Sequence, residues 1–106
     1  MNQQINSFHF TDHDGNPTGG HTHGVGICIA WQHGPLGRGV DRQEPNGAFV
    51  EGVINAAIDR LESFQRSKFE CAENRQAIGY LRDALTVLND RTLHREKVGV
   101  EGTHAL

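Results

Sequence analysis

The chain has 106 residues, a formal net charge of −3 at neutral pH, 36% apolar and 7% aromatic residues. That length suits one small domain with little apolar material for a core, and the charge argues against a surface built to coat DNA or RNA, which needs a basic face. A small anionic ligand stays open, because one or two local arginines and some backbone N–H groups suffice to hold a mononucleotide. No run of about 18 apolar residues occurs, so no membrane span is expected. Met1-Asn2-Gln3-Gln4 has no basic region and no apolar block, so a secretory signal is not expected either. Cys28 and Cys71 do not make a disulfide framework, and reduced cytosolic thiols are expected.

From Ser7 to Thr11 the residues alternate, with Phe8 and Phe10 on one face and Ser7, His9 and Thr11 on the other, which predicts a short strand. Residues 12–20 are dense in turn formers and read as a loop. After His21-Thr22-His23-Gly24, the run 25–31 alternates again. Val25, Ile27, Ile29 and Trp31 fall on one face, and Gly24, Gly26, Cys28 and Ala30 on the other. The small-residue face suggests close approach of another backbone or of a ligand. Residues 33–40, rich in glycine around Arg38, continue as a loop to Pro45, and Asn46 is a reasonable N-cap for a helix.

The second half carries two apolar stripes at helical spacing. Phe49, Val50, Val53, Ile54, Ala57, Ile58, Leu61 and Phe64 form the first; Ile78, Leu81, Leu85 and Leu88, with Ala77 and Ala84 beside them, form the second. The second helix starts either near Ser67, which has capping-box spacing to Glu70, or near Cys71. The expected fold is α+β: an N-terminal β-hairpin or small antiparallel sheet, then an antiparallel two-helix hairpin. All of it forms one domain, with residues 1–45 as hairpin and glycine-rich loop, 46–98 as helical hairpin and 99–106 as tail. Two helices bury one stripe each and leave their outer faces wet, so self-association is expected to complete the core.

Five of the seven histidines, His9, His13, His21, His23 and His33, lie in the first third. With Asp12 or Asp14 they offer zinc donors, but their spacing matches no metal motif, and surface histidines are the commoner case. Asp12-His13-Asp14-Gly15-Asn16 begins like a calcium loop, yet the twelfth position is His23 where a glutamate is needed, so it reads as a turn. Gly34, Gly37 and Gly39 around Arg38 are able to wrap a phosphate, or simply to connect. Arg91 and Arg95 are one turn apart on one helix face, with Asp90 and Glu96 near enough to offset part of their charge. An ordinary solvated helix end also explains them, since cations are favoured there. Thr92 beside them, together with Phe64 and Trp31, supplies the minimal kit of a nucleotide site: rings for the base and guanidinium groups for phosphate. That kit can be assembled across a subunit boundary. Ser63, Ser67, Cys28 and Cys71 have no base that the sequence pairs with them, so no catalytic constellation is expected.

Several runs resemble the phage Thoeris anti-defence sponge family. They are Trp31-Gln32-His33-Gly34-Pro35-Leu36-Gly37, Asn46-Gly47-Ala48-Phe49-Val50-Glu51, Asp59-Arg60-Leu61-Glu62-Ser63-Phe64-Gln65 and Cys71-Ala72-Glu73-Asn74. The closing runs, Arg91-Thr92-Leu93-His94-Arg95-Glu96 and Gly99-Val100-Glu101-Gly102-Thr103-His104, are the most specific. The helical hairpin is also similar to that of anti-CBASS cyclic-nucleotide sponges. The resemblance implies a non-enzymatic protein without cofactor that binds glycocyclic ADP-ribose, the signal of a bacterial TIR-domain enzyme. Such a protein holds the signal away from its effector, in the cytoplasm of the infected host. It also implies dimers of hairpins built into hexamers, with cyclic di- or trinucleotides at a separate site in some members. Carried over by motif position, Phe64, Asn74, Arg91 and Arg95 line the ADP-ribose-type pocket with Trp31 as a stacking partner. Arg38 with Gly102, Thr103 and His104 forms the second nucleotide site. Lys97-Val98 stands where a more arginine-rich junction is expected. The competing readings are a metal-dependent hydrolase using the N-terminal histidines and a structural helical oligomer without ligand.

Overall fold

A computed structural model describes residues 3–106; Met1 and Asn2, which open the stretch read for a secretory signal, lie outside the described residues. The expected α+β order holds. Strands β1 (Ile5–Thr11), β2 (Pro17–Gly24) and β3 (Ile27–Trp31) form an antiparallel sheet in the order β1-β2-β3. A short 3-10 turn (Gly39–Asp41) follows, then helices α1 (Val50–Gln65) and α2 (Ala72–Lys97). The chain forms two compact units. One contains the sheet, the glycine-rich loop and the tail from Gly99; the other is the helical hairpin Val50–Val98.

The sheet differs from expectation at β2. Residues 17–20 are strand, not loop, and the strand expected over 25–31 is broken by a turn at Val25-Gly26, where Val25 is 85% exposed and Gly26 has φ +76°. The sequence Pro-Thr-Gly-Gly-His-Thr-His-Gly lacks the β-branched and aromatic residues that mark strands. It is held extended by pairing on both sides: Thr22 opposes Ser7 of β1 and Ile29 of β3. Glycine at position 20 is required, because a Cβ there would run into the Phe8 carbonyl oxygen. The turn between β1 and β2 is closed by Asp12, whose carboxylate accepts from the backbone N–H groups of Asp14 (2.9 Å) and Asn16 (3.0 Å) and from the Asn16 side chain (3.1 Å). The Asn16 hydrogen bonds, backbone first, hold the Asp12 carboxyl below its ordinary value.

Directly opposed residues share a sheet face. On one face Thr22 is buried and ties the sheet together, sharing a hydrogen bond with the Ser7 hydroxyl and accepting from the Trp31 indole N–H, both at 2.9 Å. On the other, Phe8, Phe10, His21 and His23 stack side by side with ring centroids 5.0–6.3 Å apart. Cys28 and Ala30, read as a close-approach face, are exposed. Of that face Gly24 is closely approached, by the Gln4 backbone, and close approach also occurs at Gly20 and Gly47. Asn46 is not a helix cap. Ala48 makes a parallel bridge to Trp31, and Asn46 hydrogen-bonds Gln32 and His33, so the chain stays extended until Phe49.

In the hairpin α2 starts at Cys71, not Ser67. The Cys71 Sγ accepts from Asn74 N–H, and the Gln65 side-chain amide bonds both the N–H and the C=O of Cys71 at 3.0 Å. Ser67 serves the turn instead, donating to the Phe64 carbonyl. Arg82 pairs with Glu62, and Arg91 faces Glu51 at 4.0 Å, both consistent with the antiparallel arrangement. Ile58 and Ile78 are the buried apolar side chains among the described residues, each 7% exposed. The rest of the second stripe is half-covered, whereas Phe49, Val50, Ala57 and Phe64 of the first are exposed, because one helix partner covers only part of a stripe that wide.

Two outcomes are expected. Gly47→Ala places a Cβ 2.5 Å from the Trp31 carbonyl oxygen, and urea unfolding should show a loss of about 1–3 kcal/mol. Because the Asp12 carboxyl is lowered, its support of the turn is present above the ordinary value of 3.8 and is lost as pH falls through the lowered value. An acid titration followed at the Asn16 amide should show this step, and Asp12→Asn should remove it.

Candidate functional site

The residues expected to form the first pocket fall into both units, with Trp31 in the sheet unit and Phe64, Asn74, Arg91, Thr92 and Arg95 in the hairpin. Trp31 is half-buried and its indole N–H is committed to Thr22, so what it offers a ligand is ring surface rather than a donor.

Within the hairpin the five residues separate into two groups. Phe64 ends α1, and Asn74 lies in the first turn of α2, so both sit at the turn end. Arg91, Thr92 and Arg95 sit at the open end, where Arg91 faces Glu51 in the first turn of α1. Along α2 the two groups are about 25 Å apart at the standard helical rise. A single hairpin therefore does not bring Phe64 and Asn74 to one ligand together with Arg91 and Arg95. Arg91 is balanced by Glu51 across the hairpin, not by the sequence neighbours Asp90 and Glu96. The Thr92 hydroxyl donates to the Leu88 carbonyl at 3.3 Å, and Arg95 is half-buried.

At the turn end, the Asn74 side-chain amide makes no hydrogen bond among the described residues, while its backbone N–H is held by the Cys71 cap. Phe64 is 37% exposed, and the Arg60 guanidinium carbon lies 4.8 Å from its ring centroid. Sequence reading passed over Arg60, although its four-residue spacing to Phe64 was the available signal.

The second group is brought together in the sheet unit. Arg38 donates to the Glu101 carbonyl at 2.9 Å, and Gly37 N–H donates to the Gly102 carbonyl at 2.8 Å. Gly102, with φ +80°, sits so close that a Cβ there would meet the Gly37 carbonyl oxygen. The Thr103 hydroxyl donates to the Val100 carbonyl and His104 is exposed. Arg42 clamps the arrangement through a two-point contact with the Glu101 carboxylate, at 2.6 and 3.1 Å. Arg42 and Glu101 were not foreseen, because residues that far apart in the chain carry no local pattern. Of the loop donors that sequence reading offered to a phosphate, Gly37 N–H and Arg38 are thus engaged by the tail, and Gly34 N–H donates to the Thr18 carbonyl at 3.0 Å.

The histidines divide. His21 and His23 stack on the Phe8 face, and His33 brackets Asn46 through its backbone. Among the described residues no three His, Cys, Asp or Glu side chains converge with metal-ligand geometry. Both cysteines are free, and no helix is long and apolar enough to cross a membrane among the described residues.

A protein of Bacillus phage SBSphiJ7 named Thoeris anti-defense 1 is 46% identical to this chain over 76 residues, covering 72% of the chain and 51% of that protein. This chain belongs to the phage Thoeris anti-defence family. It spans about half the length of the family member it matches. No protein-family model matches it.

The Arg42–Glu101 clamp makes a direct prediction. A double-mutant cycle with Arg42→Ala and Glu101→Ala should give a coupling of about 1 kcal/mol, because the pair is bidentate but partly solvated. Either change should speed hydrogen exchange of the Gly37 amide, which the tail protects.

Proposed function

We propose that this protein is a phage anti-defence sponge. It binds glycocyclic ADP-ribose, the signal of a Thoeris system, and withholds it from its effector without cleaving it, in the cytoplasm of the infected bacterium. Family membership supports the anti-Thoeris role. The observation that carries the binding reading is the distribution of Phe64 and Asn74 against Arg91 and Arg95 on one hairpin. Two hairpins laid side by side in opposite directions bring the turn end of one copy to the open end of the other. Ring and amide from one copy then meet two guanidinium groups of its partner, and each dimer holds two such pockets.

The sparse core supports this assembly. Ile58 and Ile78 are the buried apolar side chains among the described residues, while Val50, Phe64, Tyr80 and Val87 remain exposed on the helices. A second copy covers such faces, and dimers built further into hexamers follow the family pattern. A pocket closed between subunits buries a small charged ligand and slows its release, as sequestration demands. Guanidinium groups hold phosphate without supplying a general acid or base, which favours holding over cleavage. Arg38, Gly102, Thr103 and His104 are the proposed second site for cyclic di- or trinucleotides, reached once the tail yields its loop contacts.

Glycocyclic ADP-ribose should raise the melting temperature and slow unfolding, and heating the complex should return the ligand intact by mass spectrometry. Recovery of an opened product would refute sequestration. Arg91→Ala and Arg95→Ala should stay folded yet each weaken binding by about 2–5 kcal/mol, the usual loss when one partner of a buried charged contact is removed. Undiminished affinity in isothermal calorimetry would place the pocket elsewhere.

A further inference from the structure

We propose that Arg60 is a positioning residue of the ligand site, forming with Phe64 the platform on which a purine base stacks; this rests on the nucleotide-binding reading above. The two residues are one turn apart on α1, and the guanidinium carbon stands 4.8 Å from the ring centroid. Helical side chains lean toward the N-terminus, which lays the Phe64 ring back over the turn that carries Arg60. The guanidinium covers one side of the ring. Phe64 as a residue is 37% exposed, which leaves surface for a second planar group.

The charge of Arg60 is not spent locally. Among the described residues no carboxylate pairs with it, whereas Arg82 is committed to Glu62 and Arg91 faces Glu51. A guanidinium backing an aromatic ring does two things for a nucleotide. It holds the ring in one orientation, so less side-chain freedom is lost when a base stacks on it. It also places a positive charge close to a ligand whose phosphates are negative. The Asn74 side-chain amide, which makes no hydrogen bond among the described residues, lies at the same end of the hairpin and adds a donor and an acceptor suited to a base edge or a ribose hydroxyl.

The test is calorimetric binding of glycocyclic ADP-ribose, and separately of ADP-ribose, across a salt series. The proteins compared are wild type, Arg60→Ala, Arg60→Gln and Arg60→Lys. Arg60→Ala and Arg60→Gln should weaken binding about 3- to 30-fold, with a shallower dependence on salt. Arg60→Lys should restore most of the affinity and the salt slope. Ligand-free melting should not change, because the pair is solvent-facing. In a Phe64→Leu background the loss on removing Arg60 should shrink, since the two act as a unit. Equal affinity for Arg60→Ala overturns the role of Arg60 and leaves sequestration standing. So does a loss that lysine does not relieve and that leaves the salt slope unaltered. Wild-type protein that binds neither probe overturns both.

Discussion

The rest of this structure depends on the rigidity of a long helix. Once α2 runs unbroken from Ala72 to Lys97, hydrogen-bonded from turn to turn, the residues at its two ends cannot approach each other. Asn74 and the neighbouring Phe64 are fixed at one end of the hairpin, and Arg91 and Arg95 at the other. The Cys71 cap and the Gln65 clasp on Cys71 set where the chain reverses, and Arg82 and Arg91 of α2 face Glu62 and Glu51 of α1 along the return. A binding site that draws on both ends must be built by more than one copy. A single hairpin also leaves apolar surface open on its helices, at Val50, Phe64, Tyr80 and Val87.

The sheet unit solves a different problem with few apolar residues. Its order comes from backbone pairing and from one buried hydroxyl. Thr22 is the only buried polar residue among the described residues, and it joins all three strands through Ser7 and the Trp31 indole. Glycines allow strands and loop to approach where any side chain would collide, at Gly20 against Phe8 and at Gly47 against Trp31. The tail completes the unit, with Glu101 and Gly102 supplying the acceptors that the loop donors Arg38, Gly37 and Arg42 require.

Charge is distributed in keeping with this economy. The chain is mildly acidic overall, and four of its arginines sit opposite a carboxylate: Arg42 and Arg38 at Glu101, Arg82 at Glu62, Arg91 at Glu51. Paired guanidinium groups hold the fold in register and limit non-specific attraction to polyanions. Arg60 departs from that pattern by lying on a ring rather than on a carboxylate.

What the sequence determined by itself was everything governed by local period and spacing. The two helical stripes, the alternation around Phe8 and Phe10, the acidic turn at Asp12 and the presence of Arg91 and Arg95 on one face are properties of neighbours in the chain. Residue chemistry put Phe64, Trp31 and Thr92 beside those arginines as a nucleotide kit, and family resemblance added Asn74 and the tail residues Gly102, Thr103 and His104, which no period reveals. Only the tertiary structure decided that Pro17–Gly24 is a strand, because its glycines and histidines carry no strand preference and are held by partners on either side. It likewise decided that Asn46 serves the Trp31–Ala48 bridge instead of a helix, that Cys71 rather than Ser67 caps α2, and that Glu101 answers Arg42 from the far end of the chain. In each case the deciding energy is a contact between residues remote in sequence, and such contacts leave no trace in local composition.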